Sequence, residues 1–320
     1  MKYAQIPDVS LPVSRIVLGG TGARFSSGMD VSELIESALA CGINAVDTAR
    51  VYGESENAIG RWLASGGRRE KLVLISKGCH PSMAFHRRVN ARAAAEDLKR
   101  SLDALNTDRI DIYFLHRDDE SVPVGEIVDF LNQHHEEGRI GAFGGSNWTA
   151  ARISQANAYA ARHGLKGFTV SSPHYSLGRQ RHDPWGNGCK TITGDSHQQD
   201  RAYYQDTQMP VFAWSSLCNG VFSGKLNSGD WDKLQKNFGI NTRWGYGGQD
   251  NRERLSRCEK MAGEKGATVA QIALAWLLSG KINAFPIISA SNPARIRENA
   301  LAAEINLSEQ EQAYLNLSAS

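Results

Sequence analysis

The stretch INAVDTARVYGESENAIGRWL, residues 43–63, decides the fold. It begins as a short apolar run with the composition of a buried strand, and it ends with the apolar spacing of a helix. The apolar run stops at a carboxylate, Asp47, and Tyr52 follows five residues later. A strand that leads directly into a helix is the repeating unit of α/β folds, so the fold depends on how often this unit recurs.

The same unit recurs along the whole chain. Eight short apolar runs are candidate strands, namely 15–20, 44–48, 71–77, 109–116, 138–146, 167–172, 210–216 and 283–291. Helical patterns accompany them at 30–42, 55–65, 90–105, 122–138, 149–164, 200–208, 268–280 and 292–303. Nearly continuous apolar strands are typical of parallel sheets that are buried on both faces.

This alternation predicts a single (β/α)8 TIM barrel domain over residues 1–320, with eight parallel strands and outer helices. A doubly wound open sheet is the alternative, and it usually carries a glycine-rich nucleotide turn. The segment GGTGAR, residues 19–24, has glycines but lacks the G-x-G-x-x-G spacing of that turn. Two connections, 175–199 after strand six and 227–251 after strand seven, have the length of functional lids or binding loops.

Composition narrows the classes of partner. The formal net charge is +2, from 36 basic and 34 acidic residues without a block of like charge, which disfavours nucleic acid and membrane as partners. The five cysteines are widely spaced and form no C-x-x-C pair, which predicts free thiols in a reducing compartment. The N-terminus lacks a signal-peptide pattern, and no run reaches the ~18 apolar residues of a membrane span. We therefore expect a cytoplasmic protein.

Polar side chains stand at the ends of three consecutive candidate strands. Asp47, Lys77 and His116 end strands two, three and four, and Tyr52 lies in the loop after strand two. Taken singly, Asp47 could cap a helix, Lys77 could be solvated, His116 could bond a backbone carbonyl and Tyr52 could simply pack. The chemistry of such barrels sits at the carboxyl ends of the strands, so the four together indicate an active site.

The chemistry of this set is coherent. The ordinary pKa of tyrosine, ~10, is high for proton exchange at neutral pH, and an ammonium such as Lys77 lowers it. Asp47 can hold Lys77 charged, and His116 can position a substrate oxygen. The result is a general acid aimed at one oxygen, able to act as a base in reverse. Nothing in the set is a good nucleophile, which argues against covalent hydrolysis. One histidine and one aspartate without further carboxylates are too few ligands for a metal ion, so we expect no metal site.

At these residues the chain resembles the aldo-keto reductase family. VDTARVYGESENAIG resembles the Asp-Thr-Ala…Tyr-Gly signature of the family, LISKG its lysine strand, YFLHRDD its histidine strand and GRIGAFGGSNW its fifth-strand motif. FAWSSLCNGVFSGKL, residues 212–226, closely resembles the form seen in the potassium-channel β-subunit branch. The resemblance implies an NAD(P)H-dependent carbonyl reductase on a (β/α)8 barrel. It implies a catalytic tetrad of Asp47, Tyr52, Lys77 and His116, with Tyr52 as proton donor.

The resemblance also implies a set of cofactor-binding residues. Ser146 and Asn147 would bond the nicotinamide carboxamide, and Trp214 would stack on the nicotinamide. The groups that would approach the pyrophosphate are Ser215, Leu217, Cys218, Gly220 and Lys225, with Arg243 as a candidate clamp. Those at the adenosine end are Ser289, Ser291, Arg295, Glu298 and Asn299. Gly20, Thr21, Asp47 and Ser172 complete the set. As alternatives, Trp214 could be barrel core, Lys225 a solvated lysine and Arg295 a surface arginine.

The sequence departs from the family pattern at three positions. Ser172 stands where the family often has glutamine, and Ser289 stands where a glycine is common. The lysine that some members place near the 2′-phosphate of NADPH is missing. The resemblance implies NADPH as the cofactor, and the last two departures leave NADH open as an alternative.

We expect reduction of a small aldehyde or ketone to an alcohol. The 175–199 loop carries polar and aromatic groups, namely His182, Asp183, Trp185, Asn187 and His197. These groups favour a sugar or sugar derivative as the substrate. Alternatively, they could simply pack within a lid. A cofactor-binding redox sensor or scaffold subunit with little turnover is an alternative, and so is a barrel isomerase or lyase without net redox change. The sequence leaves the oligomeric state open.

Overall fold

The computed structural model describes residues 1–82, 86–186 and 188–318. A short antiparallel hairpin opens the chain, with β1 at Tyr3–Ala4 and β2 at Val13–Ser14. Its turn approaches the residues that precede the barrel strands, since Arg109 donates a hydrogen bond to the carbonyl oxygen of Asp8. Ile6 and Val9 are fully or almost fully buried against the apolar side chains inside the barrel. The hairpin, which the sequence analysis did not predict, therefore covers the end at which the strands begin.

Eight parallel strands close into a barrel in sequential order. They are β3 at Val17–Gly19, β4 at Ala45–Asp47, β5 at Val73–Gly78, β6 at Ile110–Leu115, β7 at Ile140–Ser146, β8 at Val170–Ser172, β9 at Val211–Ala213 and β10 at Ala284–Ile288. The last strand, β10, pairs with β3. Every position of these eight barrel strands is buried, as expected for strands covered on both faces. The predicted (β/α)8 barrel is confirmed, and the open sheet is excluded.

Helices surround the barrel. They are α1 at Ala23–Ser26, α2 at Ser32–Ala40, α3 at Ser55–Ala64, α4 at Ala91–Leu105, α5 at Val124–Glu136, α6 at Ala150–His163, α7 at Gln198–Thr207, α8 at Lys233–Asn237, α9 at Ile240–Tyr246, α10 at Gln249–Lys265, α11 at Val269–Ser279, α12 at Pro293–Ala300 and α13 at Glu309–Leu315. Each of the eight predicted helical patterns forms a helix. Local signals fix several ends: Asn90 caps α4, and Gly42 follows α2 at φ +80°.

The structure adds helices where the sequence analysis expected irregular chain. Two short helices, α8 and α9, lie inside the 227–251 connection, and the 17-residue helix α10 begins near its end. Charged and polar residues dominate α10, and only a narrow stripe including Leu255 and Cys258 is buried. Such a stripe gives a weak periodic signal. The described residues form no helix that is both long and apolar enough to cross a membrane.

The closed barrel brings the ends of β4, β5 and β6 side by side. Asp47 pairs in register with Ile75, and Lys77 pairs with Phe114. His116 directly follows β6, and its N–H donates to the carbonyl oxygen of Gly78 at 2.8 Å. The carboxyl ends of neighbouring parallel strands thus meet at one rim of the barrel, where the candidate site lies.

Candidate active site

An ion pair lies at the base of the candidate site. Asp47 and Lys77 are only 2% and 1% exposed, and the ammonium of Lys77 bonds the carboxylate of Asp47. Lys77 also donates to the carbonyl oxygen of Thr48 at 3.0 Å. Two buried charges need each other, because either alone would carry an uncompensated desolvation penalty. The pair therefore holds a fixed positive group beneath the rim.

Tyr52 lies above this pair, in the turn between β4 and α3. The turn is held by a hydrogen bond from the N–H of Tyr52 to the carbonyl oxygen of Ala49, 3.0 Å long. The phenol ring meets the His116 ring edge-on, with centroids 5.6 Å apart and an interplanar angle of 82°. The Nζ atom of Lys77 is 5.1 Å from the centroid of the phenol ring. The structure thus brings Asp47, Tyr52, Lys77 and His116 together.

Burial sets the charge state of Tyr52. Burial raises the pKa of the phenol above its ordinary value of 10, and the charge of Lys77 opposes this rise without cancelling it. The expectation of a lowered pKa, based on the charge of Lys77 alone, is wrong, because burial of the phenol outweighs that charge. Tyr52 is therefore protonated at neutral pH, as a general acid must be.

The charges of the pair follow from their contact. Burial acts to lower the pKa of Lys77, but the charges of Asp47 and Tyr52 outweigh it, and the net pKa is raised. Burial raises the pKa of Asp47, against the opposing charge of Lys77. Because the lysine stays protonated, a positive charge is always available next to the phenol.

His116 is a neutral imidazole in this setting. Burial, followed by the charges of Lys77 and Arg117, lowers its pKa well below 6.5. Its backbone carbonyl oxygen is held by two donors, Arg117 at 2.8 Å and the side chain of Asn147 at 3.2 Å. Its Nδ1 atom is buried and has no hydrogen-bond partner in the described part of the chain. A neutral imidazole can donate one hydrogen bond to a ligand oxygen, or accept one from a ligand hydroxyl, without changing its charge.

Two basic groups at the rim were missed by the sequence analysis. His80 follows Lys77 by three residues, and Arg117 directly follows His116. The His80 ring packs edge-on against the His116 ring at 4.9 Å. Their position just beyond two strand ends was the available signal, since residues there line the barrel mouth.

The groups predicted to meet the carboxamide sit at the ends of β7 and β8. Ser146 donates to the carbonyl oxygen of Ser172 at 3.0 Å, and Ser172 donates to that of Phe212 at 2.8 Å. Asn147 adopts φ +63°, and its side-chain oxygen accepts from the N–H of Lys190 at 3.1 Å. The long 175–199 loop therefore runs directly beside this end of the barrel.

Trp214 continues the same rim just after β9. Its ring lies 4.9 Å from the ring of His174, and its Nε1 atom is buried with no partner among the described residues. His174 is fully buried and bonded at both nitrogens, to Thr191 at 2.8 Å and to the Tyr246 hydroxyl at 2.9 Å. One histidine thus joins the loop carrying Thr191, the helix α9 and the tryptophan.

The segment after Trp214 has an unusual backbone. Four of its residues have positive φ, namely Ser215 at 50°, Cys218 at 53°, Asn219 at 52° and Gly220 at 95°. Cys218 is fully buried and its thiol donates to Ser176, so its side chain faces the core, while Leu217 is half-buried. Lys225 is exposed, and its ammonium has no ion pair within the described ranges. Backbone N–H groups of such turns can form anion-binding concavities.

The remaining predicted residues lie around β3, β10 and α12. Thr21 and Ser289 hydroxyls are 3.0 Å apart, while the N–H of Gly20 donates to the Asp47 carbonyl oxygen at 2.7 Å. Exposed Ser291 precedes α12, which starts at Pro293 with Asn292 as its cap. Within α12, Arg295 pairs with Glu298 at 3.1 Å, and Asn299 is buried with its Oδ1 atom unpartnered among the described residues. Arg243 bonds the carbonyl oxygen of Gln235 in the other long loop.

The 175–199 loop surrounds a polar cleft of about 600 Å³. His182, Asp183 and His197 line it together with hydroxyl groups of Thr191 and Thr193. The carboxylate of Asp183 accepts from backbone N–H groups of the loop, so it shapes the turn itself. Trp185 is 52% exposed and does not line the cleft, and Asn187 lies outside the described residues.

The described residues offer neither a metal-ligand cluster nor a disulfide. No group of three or more His, Cys, Asp or Glu side chains suited to a metal ion occurs in the ranges that the structure describes. All five cysteines are free thiols, and three of them are buried.

The chain is similar to known proteins over nearly its whole length. The model of the "Aldo/keto reductase family" matches residues 15–318. "Uncharacterized oxidoreductase YrpG" of Bacillus subtilis is 28% identical, over 99% of this chain and 95% of its own length. "Putative voltage-gated potassium channel subunit beta" of Schizosaccharomyces pombe is 28% identical, over 92% and 86%. "Aldo-keto reductase ausK" of Emericella nidulans is 30% identical, over 88% and 70%. A parallel eight-stranded barrel and a family match over nearly its whole length lead to one conclusion: this chain belongs to the aldo/keto reductase family.

Proposed function

We propose that this protein reduces an aldehyde or ketone to an alcohol, with NADPH as hydride donor and Tyr52 as general acid. The observation that carries the proposal is the contact of a protonated phenol with a neutral imidazole above a buried Lys77–Asp47 pair. Membership of an oxidoreductase family supports the reaction class. We further propose one domain over residues 1–320 and a cytoplasmic location, the latter supported by the free thiols.

The residues present fit a nicotinamide dinucleotide. Fifteen buried side-chain polar atoms lack partners among the described residues, and three of them belong to residues that the resemblance assigns to substrate or cofactor contacts, namely His116 Nδ1, Trp214 Nε1 and Asn299 Oδ1. These three lie in the rim, in the segment after β9 and in α12, which are the parts of the barrel that the family resemblance assigns to substrate oxygen, nicotinamide and adenine. Unpaired polar atoms in a folded protein often mark a ligand position. When bound, the nicotinamide supplies the hydride.

Charged groups would hold the phosphates. Exposed Lys225 and the positive-φ turn at 215–220 suit the pyrophosphate. Ser289, Ser291 and Arg295 suit the 2′-phosphate, since the planar fork of an arginine can bond two phosphate oxygens. Arg295 would have to exchange its ion pair with Glu298 for the phosphate. We therefore propose a preference for NADPH over NADH.

The chain's own residues would carry the proton. The carbonyl oxygen would lie between the Tyr52 hydroxyl and the His116 ring, where a neutral imidazole orients it by one hydrogen bond. Tyr52 transfers its proton to that oxygen as the oxygen gains negative charge. The ammonium of Lys77 stabilises the phenolate that remains, and Asp47 keeps that ammonium in place. In the reverse direction, the phenolate removes the proton from an alcohol.

A polar substrate suits the surroundings. The cleft beside the rim is lined by hydroxyl, amide and charged groups, including Thr191, Thr193 and Lys190. These groups favour a polyhydroxylated carbonyl compound, such as a sugar or sugar derivative. They offer little to a purely aromatic aldehyde.

The test combines binding and turnover. NADPH and NADH are titrated against tryptophan fluorescence, and the loss of reduced-nicotinamide absorbance is then followed with aldoses, keto-sugars and simple aldehydes. The proposal expects tighter binding of NADPH and carbonyl-dependent oxidation that is fastest with hydroxylated compounds. Absence of oxidation with every carbonyl would contradict it, and an isomerase or lyase would give that result.

A cofactor-binding redox sensor or scaffold subunit is the second candidate. The similarity to relatives named as potassium-channel β subunits favours it. Tight NADPH binding with very slow turnover on the whole panel would support this candidate over the first.

A further inference from the structure

A second histidine stands in the mouth of the barrel beside His116. His80 follows β5 and is half-buried, and its ring packs edge-on against the His116 ring, with centroids 4.9 Å apart and an interplanar angle of 75°. The Tyr52 ring packs against the same imidazole at 5.6 Å. The rings of Tyr52 and His80 thus both pack against the His116 ring.

One hydrogen bond fixes which nitrogen of His80 is available. Nδ1 of His80 lies 2.9 Å from the carbonyl oxygen of Pro81. A carbonyl oxygen only accepts, so the Nδ1 atom carries the proton in this contact. Burial lowers the pKa of His80 below its ordinary 6.5, which favours the neutral ring at pH 7. Nε2 is then a lone-pair acceptor, and no side chain of the described ranges bonds it.

We propose that His80 is a specificity-determining residue whose Nε2 accepts a hydrogen bond from a hydroxyl on the carbon next to the reacting carbonyl, which makes α-hydroxy aldehydes and ketones the preferred substrates. The inference rests on the proposed function. With the carbonyl oxygen between Tyr52 and His116, a hydroxyl on the neighbouring carbon would meet the other ring that packs against His116, which is that of His80. A substrate without the hydroxyl leaves this acceptor unpaired, which disfavours it.

Hydroxyacetone and butanone test the preference, because a hydroxyl in the first replaces a methyl group in the second. Wild type is expected to show a kcat/KM for hydroxyacetone at least about tenfold above that for butanone. This is the usual effect of one hydrogen bond when its loss leaves a buried acceptor unpaired. In His80→Leu the ratio of the two values should fall to about one, and in His80→Gln, which keeps an acceptor, it should recover in part. His86→Leu, which changes an exposed histidine of the same connection, should keep the wild-type ratio.

Imidazole ¹⁵N NMR gives a readout that does not need turnover. In wild type, the His80 signals, assigned by their loss in His80→Gln, should report a protonated Nδ1 and an unprotonated Nε2. With NADP⁺ present, propane-1,2-diol should shift the Nε2 signal, and butan-2-ol should not.

The outcomes separate the two hypotheses. Turnover of both ketones at equal efficiency, or a ratio unchanged in His80→Leu, overturns the role of His80 and leaves the proposed function standing. Absence of turnover with every carbonyl refutes the proposed function. In that case the NMR experiment alone tests the role of His80, which is overturned if Nε2 is protonated or if both alcohols shift its signal equally.

Discussion

At the residue scale, the identity of the candidate site follows from where strands end. The sequence located Asp47, Lys77 and His116 because each polar residue closes an apolar run, and a closed barrel must bring such ends together. It did not give the net direction of the Tyr52 pKa, because burial of the phenol depends on the loops that cover it. His80 was missed although it lies just beyond a strand end, and only the folded chain shows that its ring meets His116.

The Lys77–Asp47 pair gives a prediction about stability and charge. Lys77→Met leaves the carboxylate of Asp47 buried without its partner, and breaking such a pair is expected to lower the free energy of unfolding by about 3–5 kcal/mol. Urea unfolding measures the change. The double variant Asp47→Asn with Lys77→Met removes both charges and should regain most of the loss. Equal stability of wild type and Lys77→Met would show that the pair does not bear the charges assigned to it.

At the scale of elements, strands were easier to predict than loops. Continuous apolar runs mark the eight barrel strands, because both faces of each strand must be buried. The helix α10 was not predicted because its buried stripe is narrow. The helix α13 was not predicted either, although the Ser308–Glu311 capping box marks its start. The two long loops meet at His174, through Thr191 on one side and Tyr246 on the other. This contact joins residues that are far apart in the sequence, so no local sequence pattern predicts it.

The burial of His174 predicts a pH dependence of stability. Burial lowers its pKa to about 3 in the folded protein, against about 6.5 when unfolded. Below pH 6.5 the unfolded chain takes up a proton at this ring, whereas the folded chain does so only near pH 3. The contribution of the neutral ring to the free energy of unfolding is therefore complete above pH 6.5 and is lost as the pH falls from 6.5 towards 3. We expect this group to contribute a loss of about 1.4 kcal/mol per pH unit.

Urea unfolding between pH 7 and pH 5 measures this slope. His174→Asn keeps a neutral polar side chain that cannot take up a proton, so its free energy of unfolding should fall less steeply over this range than that of wild type. The comparison of slopes cancels the other titrating groups. Parallel slopes for the two proteins would mean that His174 does not stay neutral when buried.

At the scale of the whole molecule, the barrel is closed at one end and functional at the other. The N-terminal hairpin fills the end at which the strands begin, with Ile6 fully buried against the interior side chains. The opposite rim carries the candidate site and both long loops. The hairpin thus contributes apolar burial at the end of the barrel that lies away from the candidate site, as is usual for this fold.

This separation predicts a variant that changes stability alone. Ile6→Ala removes a fully buried side chain and is expected to lower the free energy of unfolding by about 2–5 kcal/mol. NADPH affinity at temperatures where the variant is folded should remain that of wild type, since Ile6 lies at the end away from the rim. Met29→Ala, at a residue that is 55% exposed, is the control and should change little. A loss of affinity in Ile6→Ala would show that the two ends are coupled.

The most direct test of the central claim is the turnover of Tyr52→Phe. NADPH oxidation with the best carbonyl substrate at pH 7 is compared in wild type, Tyr52→Phe and Tyr203→Phe, a tyrosine of α7 that lies outside the candidate site. If Tyr52 supplies the proton, kcat falls by a factor of about 10²–10⁴ in Tyr52→Phe while NADPH affinity by fluorescence is kept, and Tyr203→Phe resembles wild type. Wild-type kcat in Tyr52→Phe would contradict the assignment of Tyr52 as the acid.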